Sequence, residues 1–91
     1  MVLLSREEIQ TRIGQLQGWE FSGNVLTRQI LFPSFKEAIA FANRVGDVAE
    51  AADHHPDITI QYRKVTLSLW THSEGGVTRK DLDLAAQINR L

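Results

Sequence analysis

The chain has 91 residues, with 10 Lys and Arg against 11 Asp and Glu, and no cysteine. Missing cysteines exclude disulfides and thiolate metal sites, and we expect a reducing, cytoplasmic location. The net charge of −1 argues against direct nucleic-acid binding. No apolar run approaches the ~18 residues that span a membrane. The length allows one domain, which we expect over residues 1–91.

Three segments carry the signals of helices, and each begins with a hydroxyl residue followed three positions later by an acid, as in a capping box. Apolar residues at every third or fourth position then predict helices that end near Gly18, cover about residues 34–53, and run from about 79 to 91. Pro56 cannot continue the second helix. The three capping pairs are Ser5 and Glu8, Ser34 and Glu37, and Thr78 and Asp81.

Between the predicted helices the apolar period changes to two, which predicts strands. Residues 19–21 and 25–32 are separated by a short turn and form a first predicted hairpin. Residues 57–72 form a second hairpin, because a single straight strand of that length would outreach so small a domain. We expect this second segment to fold back at Arg63 and Lys64.

The predicted order of elements is α-β-β-α-β-β-α. Because hairpins pair antiparallel, this order predicts an α+β two-layer sandwich, in which three helices cover one face of a four-stranded antiparallel sheet. The edges of such a sheet would stay open. Pairing between subunits is one way to remove open edges, so the architecture favours a homo-oligomer.

All three histidines lie in one short part of the sequence. His54 and His55 follow the second predicted helix, and His72 ends the last predicted strand. A hairpin that turns near residue 63 places residue 72 opposite residue 54 or 55, so strand pairing itself brings the three imidazoles together. Imidazole exchanges protons near neutral pH, which suits general acid–base catalysis.

Acidic side chains are available to orient these imidazoles. Glu50 lies one helical turn before His54, Asp53 is adjacent to it, and Asp81 opens the last helix. Each group also has a structural interpretation: a histidine at a helix end acts as a cap, Asp81 completes a capping box, and Glu50 lies on a solvated helix face. A three-histidine metal site is a further interpretation. It is disfavoured because adjacent residues in extended chain point to opposite faces.

The segment from Asp53 to Ala85 resembles the signature of the pterin-4a-carbinolamine dehydratases. The shared features are the sequence DHHP, the pair Thr71-His72, and Asp81 beyond them, and the similarity extends back to Trp19. The resemblance implies a hydro-lyase that converts 4a-hydroxytetrahydropterin to quinonoid dihydropterin in tetrahydropterin recycling, with no metal and no cofactor. It also implies a small α+β sandwich that assembles as a homodimer or homotetramer.

The resemblance carries roles onto individual positions of this sequence. It implies that His54 and His72 form the acid–base pair, that His55 contacts the pterin, and that Asp81 orients or polarises the site. The remaining matches, which help to shape the family's pocket, are Glu50 and Trp19.

Two positions depart from the family pattern. Trp70 stands where a small residue can precede the Thr-His pair, and Lys80 replaces an arginine. Neither change removes a titrating group.

Some relatives act as dimerisation cofactors of a transcription factor or in protein assembly, so a non-enzymatic interaction module is the alternative function. The full set of titrating residues favours the enzyme, because a binding module has no reason to keep all of them.

Overall fold

The structure, a computed structural model, describes residues 3–91; the first two residues of the predicted domain lie outside the described part. Three helices and a four-stranded antiparallel sheet follow one another in the predicted order, so the predicted α+β fold class is confirmed. Within residues 3–91, no helix is both long enough and apolar enough to cross a bilayer. The elements are α1 (Arg6–Ile13), β1 (Glu20–Ser22), β2 (Val25–Leu31), α2 (Phe35–Ala52), β3 (Asp57–Gln61), β4 (Lys64–Leu69), a 3₁₀ turn (His72–Glu74) and α3 (Arg79–Asn89).

The sheet has the strand order β1-β2-β4-β3, so β4 lies in its interior. Leu26 of β2 pairs with Leu69, and Ile58 of β3 pairs with Leu67. Because side chains alternate along a strand, Val65, Leu67 and Leu69 all point to the same face and are fully buried there. Burial of each such leucine contributes about 1.5–3 kcal/mol relative to exposure.

The helices cover this apolar face of the sheet. Each opens at the predicted hydroxyl cap, and α2 and α3 carry long apolar stripes at helical spacing. One core results, which joins all three helices to the sheet. Its helical members are Ile9 of α1; Ala38, Phe41, Val45 and Ala49 of α2; and Leu82, Leu84, Ala85 and Ile88 of α3.

The first helix is shorter than the sequence predicts, because α1 ends at Ile13 and tight turns fill residues 14–18. Gly14 lowers the local helix propensity at this point. Gly18 has a positive φ of 89°, and a Cβ atom there would lie 3.0 Å from Nε of Arg28. Only glycine fits both the backbone conformation and this close approach.

The turn of the second hairpin lies one residue earlier than predicted, at Tyr62 and Arg63. Tyr62 has a φ of 54° and its side chain is 72% exposed, whereas the apolar pattern placed it on the face of Ile58 and Ile60. No glycine or asparagine marks this turn in the sequence, which is why the pattern misplaced it.

Candidate active site

The end of α2 directs His54 towards the sheet and α3. Asp53 takes the left-handed conformation, with φ 51° and ψ 42°. The amide of His54 donates to the carbonyl of Ala49 and that of Asp53 to the carbonyl of Glu50, each at 3.1 Å. This pair of bonds is a Schellman motif, which terminates the helix and reverses the chain. Pro56 then keeps the chain extended.

The exit of β4 presents Trp70 and His72 on one side of the chain and Thr71 on the other. Thr71 is extended, with φ −94° and ψ 106°, so its two neighbours share a face. The rings of Trp70 and His72 stack with their centroids 4.3 Å apart, at an interplanar angle of 34°. The Thr71 amide donates to the carbonyl of Gly76 at 2.8 Å, which closes the turn after His72.

Asp81 lies at the start of α3 and is completely buried. Its Oδ2 atom accepts hydrogen bonds from the Thr78 amide at 2.8 Å and from the Thr71 hydroxyl at 2.9 Å. Its Oδ1 atom lies 2.5 Å from Nε2 of His54. The two predicted roles of Asp81, cap and imidazole partner, therefore belong to different oxygens of one carboxylate.

The bond to Asp81 defines which nitrogen of His54 is free. A carboxylate only accepts hydrogen bonds, so Nε2 of His54 carries the proton that it donates to Oδ1. Among residues 3–91, Nδ1 of His54 makes no side-chain hydrogen bond, and no buried side-chain nitrogen or oxygen is left without a partner. With 12% of the His54 side chain exposed, Nδ1 is the nitrogen available to a ligand.

His55 forms a second imidazole–carboxylate pair, in water. Its Nε2 atom lies 2.5 Å from Oε1 of Glu50, and the side chains are 56% and 79% exposed, respectively. Glu50 sits in the last turns of α2, so the same helix end that turns His54 inward also holds the partner of His55. The two adjacent histidines thus bond to separate carboxylates.

The three histidines line one open cleft of about 270 Å³. This volume lies just below the usual range for small-molecule sites, which is about 300–1,000 Å³. The sequence prediction did not nominate Trp70, Ser73 or Lys80 as site residues. Alternation about Thr71 is the signal that could have found Trp70. The lining residues are Asp53, His54, His55, Trp70, Thr71, His72, Ser73 and Lys80.

Trp19, a predicted site residue, does not line this cleft. Its side chain is buried, and Nε1 donates to Oδ1 of Asn89 at 2.9 Å. Arg28 donates to the same oxygen at 2.6 Å, and burial lowers the pKa of the Arg28 guanidinium below its ordinary value. Because Asn89 is the last residue of α3 and Asp81 lies in its first turn, Trp19 anchors the far end of the helix that carries Asp81.

The described part of the chain holds no group of three or more His, Asp or Glu side chains placed to share a metal ion. The three-histidine metal site, which the sequence disfavours, would require His54 and His55 to point at one ion. Instead, Nε2 of His54 faces Asp81 and Nε2 of His55 faces Glu50. Two of the three imidazoles at the cleft are therefore held by hydrogen bonds to separate carboxylates.

Known proteins resemble the chain over almost its whole length. Residues 2–91 match the family model described as Pterin 4 alpha carbinolamine dehydratase. A protein of Roseiflexus castenholzii with the provisional name of pterin-4-alpha-carbinolamine dehydratase is 55% identical over 98% of this chain and 96% of its own length. A protein of Mycobacterium avium with the same provisional name is 48% identical over 98% of this chain and 95% of its own.

Solved structures share the fold. The transcriptional coactivator/pterin dehydratase from Brucella melitensis superposes with a TM-score of 0.91 at 33% identity, over 97% of this chain and 96% of that chain. A pterin dehydratase-like protein identified as a RuBisCO assembly factor in the alpha-carboxysome gives a TM-score of 0.65 at 18% identity, over 79% and 83% of the two chains. The second likeness concerns the fold alone.

Proposed function

The chain belongs to the pterin-4-alpha-carbinolamine dehydratase family, and from this premise we propose that it removes water from a 4a-hydroxytetrahydropterin to give the quinonoid dihydropterin. One observation carries the proposal. Three imidazoles line a single cleft, and a fully buried carboxylate fixes one of them. Such an arrangement supplies proton donors and acceptors at neutral pH without any further group.

The reaction requires two proton transfers. The hydroxyl on C4a leaves as water when a proton is delivered to its oxygen, and the adjacent ring N–H loses a proton as the C4a–N5 double bond forms. One group must therefore act as an acid and another as a base in the same turnover. The cleft is open, so both groups can return to their starting states by exchange with solvent.

His54 is suited to accept the ring proton. Its Nε2–H is bonded to Asp81, so Nδ1 presents a lone pair, and the positive charge that develops on the ring is balanced by the buried carboxylate. Within residues 3–91 no carboxylate pairs with His72, and His72 is assigned as the acid that protonates the leaving oxygen. His55 contacts the pterin, with Glu50 holding its ring from outside.

The proposed function is tested with pterin carbinolamine generated in place by a phenylalanine hydroxylase. We expect the purified protein to accelerate loss of the 4a-hydroxy compound, and His72→Ala to lower the rate at least about tenfold, or ~1.4 kcal/mol. Thr66→Val is the matched control, because Thr66 lies on β4 outside the cleft. Circular dichroism verifies the fold of each variant. If the wild-type rate equals the spontaneous rate across pH 6–8, the proposed function is wrong.

A binding role remains the alternative, since the name of the Brucella relative includes a coactivator. The same assay separates the two functions, because a pure interaction module would leave the carbinolamine to decay at its spontaneous rate.

Assembly into a homo-oligomer also stays a prediction. Strands β1 and β3 are the two edges of the sheet in residues 3–91, and pairing through an edge would give the homodimer or homotetramer. Light scattering on the purified protein measures the mass of the assembly and so distinguishes these two states from a monomer.

A further inference from the structure

Two hydroxyl groups lie behind the carboxylate of Asp81, and together they form what we term the hydroxyl pair, Thr71 and Thr78. Their Oγ1 atoms are 2.8 Å apart, and both residues are buried. Thr71 also reaches Oδ2 of Asp81 at 2.9 Å. A continuous row of polar groups therefore runs from Thr78 through Thr71 and Asp81 to His54.

The direction of these bonds follows from counting hydrogens. Asp81 only accepts, so the single hydroxyl hydrogen of Thr71 points to Oδ2. The bond between the two hydroxyls must then use the hydrogen of Thr78, and the Thr78 oxygen accepts from the Lys80 amide at 3.3 Å. Thr71 has no hydrogen left to offer a ligand, although it lines the cleft.

We propose that the Thr71 hydroxyl is a positioning residue for the Asp81–His54 pair. Oδ2 of Asp81 is held by two donors on separate segments, the Thr71 hydroxyl and the Thr78 amide. Without the Thr71 hydroxyl, the carboxylate is held only by the Thr78 amide and can rotate about that bond. Its Oδ1 atom then no longer points at Nε2 of His54. The effect of the Thr71 hydroxyl on catalysis rests on the proposed function, whereas its effect on the geometry of the Asp81–His54 pair does not.

Two other uses of Thr71 make different predictions. A hydroxyl that bound the pterin directly would change KM when removed, and a hydroxyl that served only the fold would change stability. A positioning hydroxyl changes kcat and the His54 ring proton, with KM nearly constant. These readouts separate the three cases.

The variants are Thr71→Val, which keeps the volume and loses the hydroxyl, and Thr71→Ser, which restores it. Thr66→Val is the control for the same chemical change at a half-buried position on β4. We expect Thr71→Val to lower kcat about tenfold, since a hydrogen bond to a charged group is lost. KM should stay within about twofold, and Thr71→Ser should recover most of the rate.

Proton NMR of His54 gives a readout that needs no substrate. A ring N–H held in a buried hydrogen bond exchanges slowly with water and resonates downfield, so the spectrum records it directly. We expect the Nε2–H signal of His54 in the wild type, in Thr71→Ser and in Thr66→Val, and its loss or broadening in Thr71→Val. Variants of His55 and His72 assign the signal.

Several results would overturn the inference. One is a wild-type His54 protonated at Nδ1 rather than Nε2, which can be measured even if Thr71→Val fails to fold. Another is a Thr71→Val protein whose kcat and whose His54 ring N–H signal both equal those of Thr66→Val. A wild type without dehydratase activity would reject the proposed function, and the ring proton would then decide the role of Thr71 alone.

Discussion

Two imidazole–carboxylate pairs occur side by side in this molecule, with the same Nε2-to-oxygen distance of 2.5 Å. The Asp81–His54 pair is largely enclosed, with 12% of the His54 side chain and none of the Asp81 side chain exposed, whereas the Glu50–His55 pair lies in solvent at the end of α2. Geometry alone does not distinguish them. What differs is the surrounding medium and the number of other groups that hold each carboxylate.

That difference determines what each pair contributes. In water an exposed ion pair stabilises a protein by about 0–1 kcal/mol, because solvent screens the charges and competes for the bonds. In an enclosed pair water does not replace a lost partner, so the hydrogen bond from the imidazole to the charged carboxylate contributes about 1.5–3 kcal/mol. The Asp81 carboxylate also accepts from Thr71 and Thr78, whereas Glu50 makes no other side-chain hydrogen bond within residues 3–91.

The largest effect is expected from Asp81→Asn, which removes the charge and keeps the shape. The oxygen of the new amide stays with its two donors, the Thr71 hydroxyl and the Thr78 amide, so its NH₂ group faces Nε2 of His54. Nε2 must then accept, which moves the ring proton of His54 to Nδ1 and removes the lone pair offered to substrate. We expect kcat to fall about 10²-fold or more and the free energy of unfolding to fall by about 2 kcal/mol, because hydrogen bonds to a charged group are lost. Steady-state enzyme assays measure kcat, and urea denaturation measures the free energy of unfolding.

Asp83→Asn is the matched control, because Asp83 is exposed on the same helix. It makes the same change in net charge without touching the buried pair. Equal kcat values for the two variants would contradict the role assigned to Asp81.

A small effect is expected from Glu50→Gln. The amide can still meet His55, and solvent replaces what is lost, so we expect activity within about threefold of the wild type and a stability change within about 1 kcal/mol. Steady-state assays at low and high salt measure it. A loss as large as that of Asp81→Asn would show that exposure does not distinguish the pairs.

The smallest effect tests the turn that separates the pairs. Asp53 takes the left-handed conformation that sends His54 inward while His55 stays in solvent. Asp53→Ala should lower the free energy of unfolding by about 0.5 kcal/mol, because aspartate populates the left-handed region several-fold more often than alanine. Asp53→Gly should match or exceed the wild type in urea denaturation. A less stable glycine variant would assign another role to Asp53.

Local signals in the sequence predict the element order because each element is specified by its own residues. Two of these signals are the apolar periods and the hydroxyl caps at Ser5, Ser34 and Thr78. Both depend on neighbours within one or two turns, so they can be recognised without knowledge of the fold. The length of the second hairpin likewise predicts that residue 72 returns to the end of α2. In the structure His54, His55 and His72 line one cleft.

What the sequence did not predict depends on contacts across the fold. Gly18 and Arg28 meet only once β2 is in place, and that approach shapes the turns after the shortened α1. Trp19 bonds to Asn89, 70 positions away, so no local pattern could show that it lies outside the cleft. Trp70 contacts the His72 ring because the two residues flank the extended Thr71 and share a face, which the sequence pattern did not predict.

The capping box of α3 joins helix formation to the chemistry of the cleft. Asp81 holds the first turn through the Thr78 amide and holds His54 through its other oxygen. Local opening of a helix end requires much less free energy than global unfolding. Opening of this one turn would separate the His54 imidazole from its carboxylate while the sheet stays paired, so a single helical turn controls whether the pair is assembled.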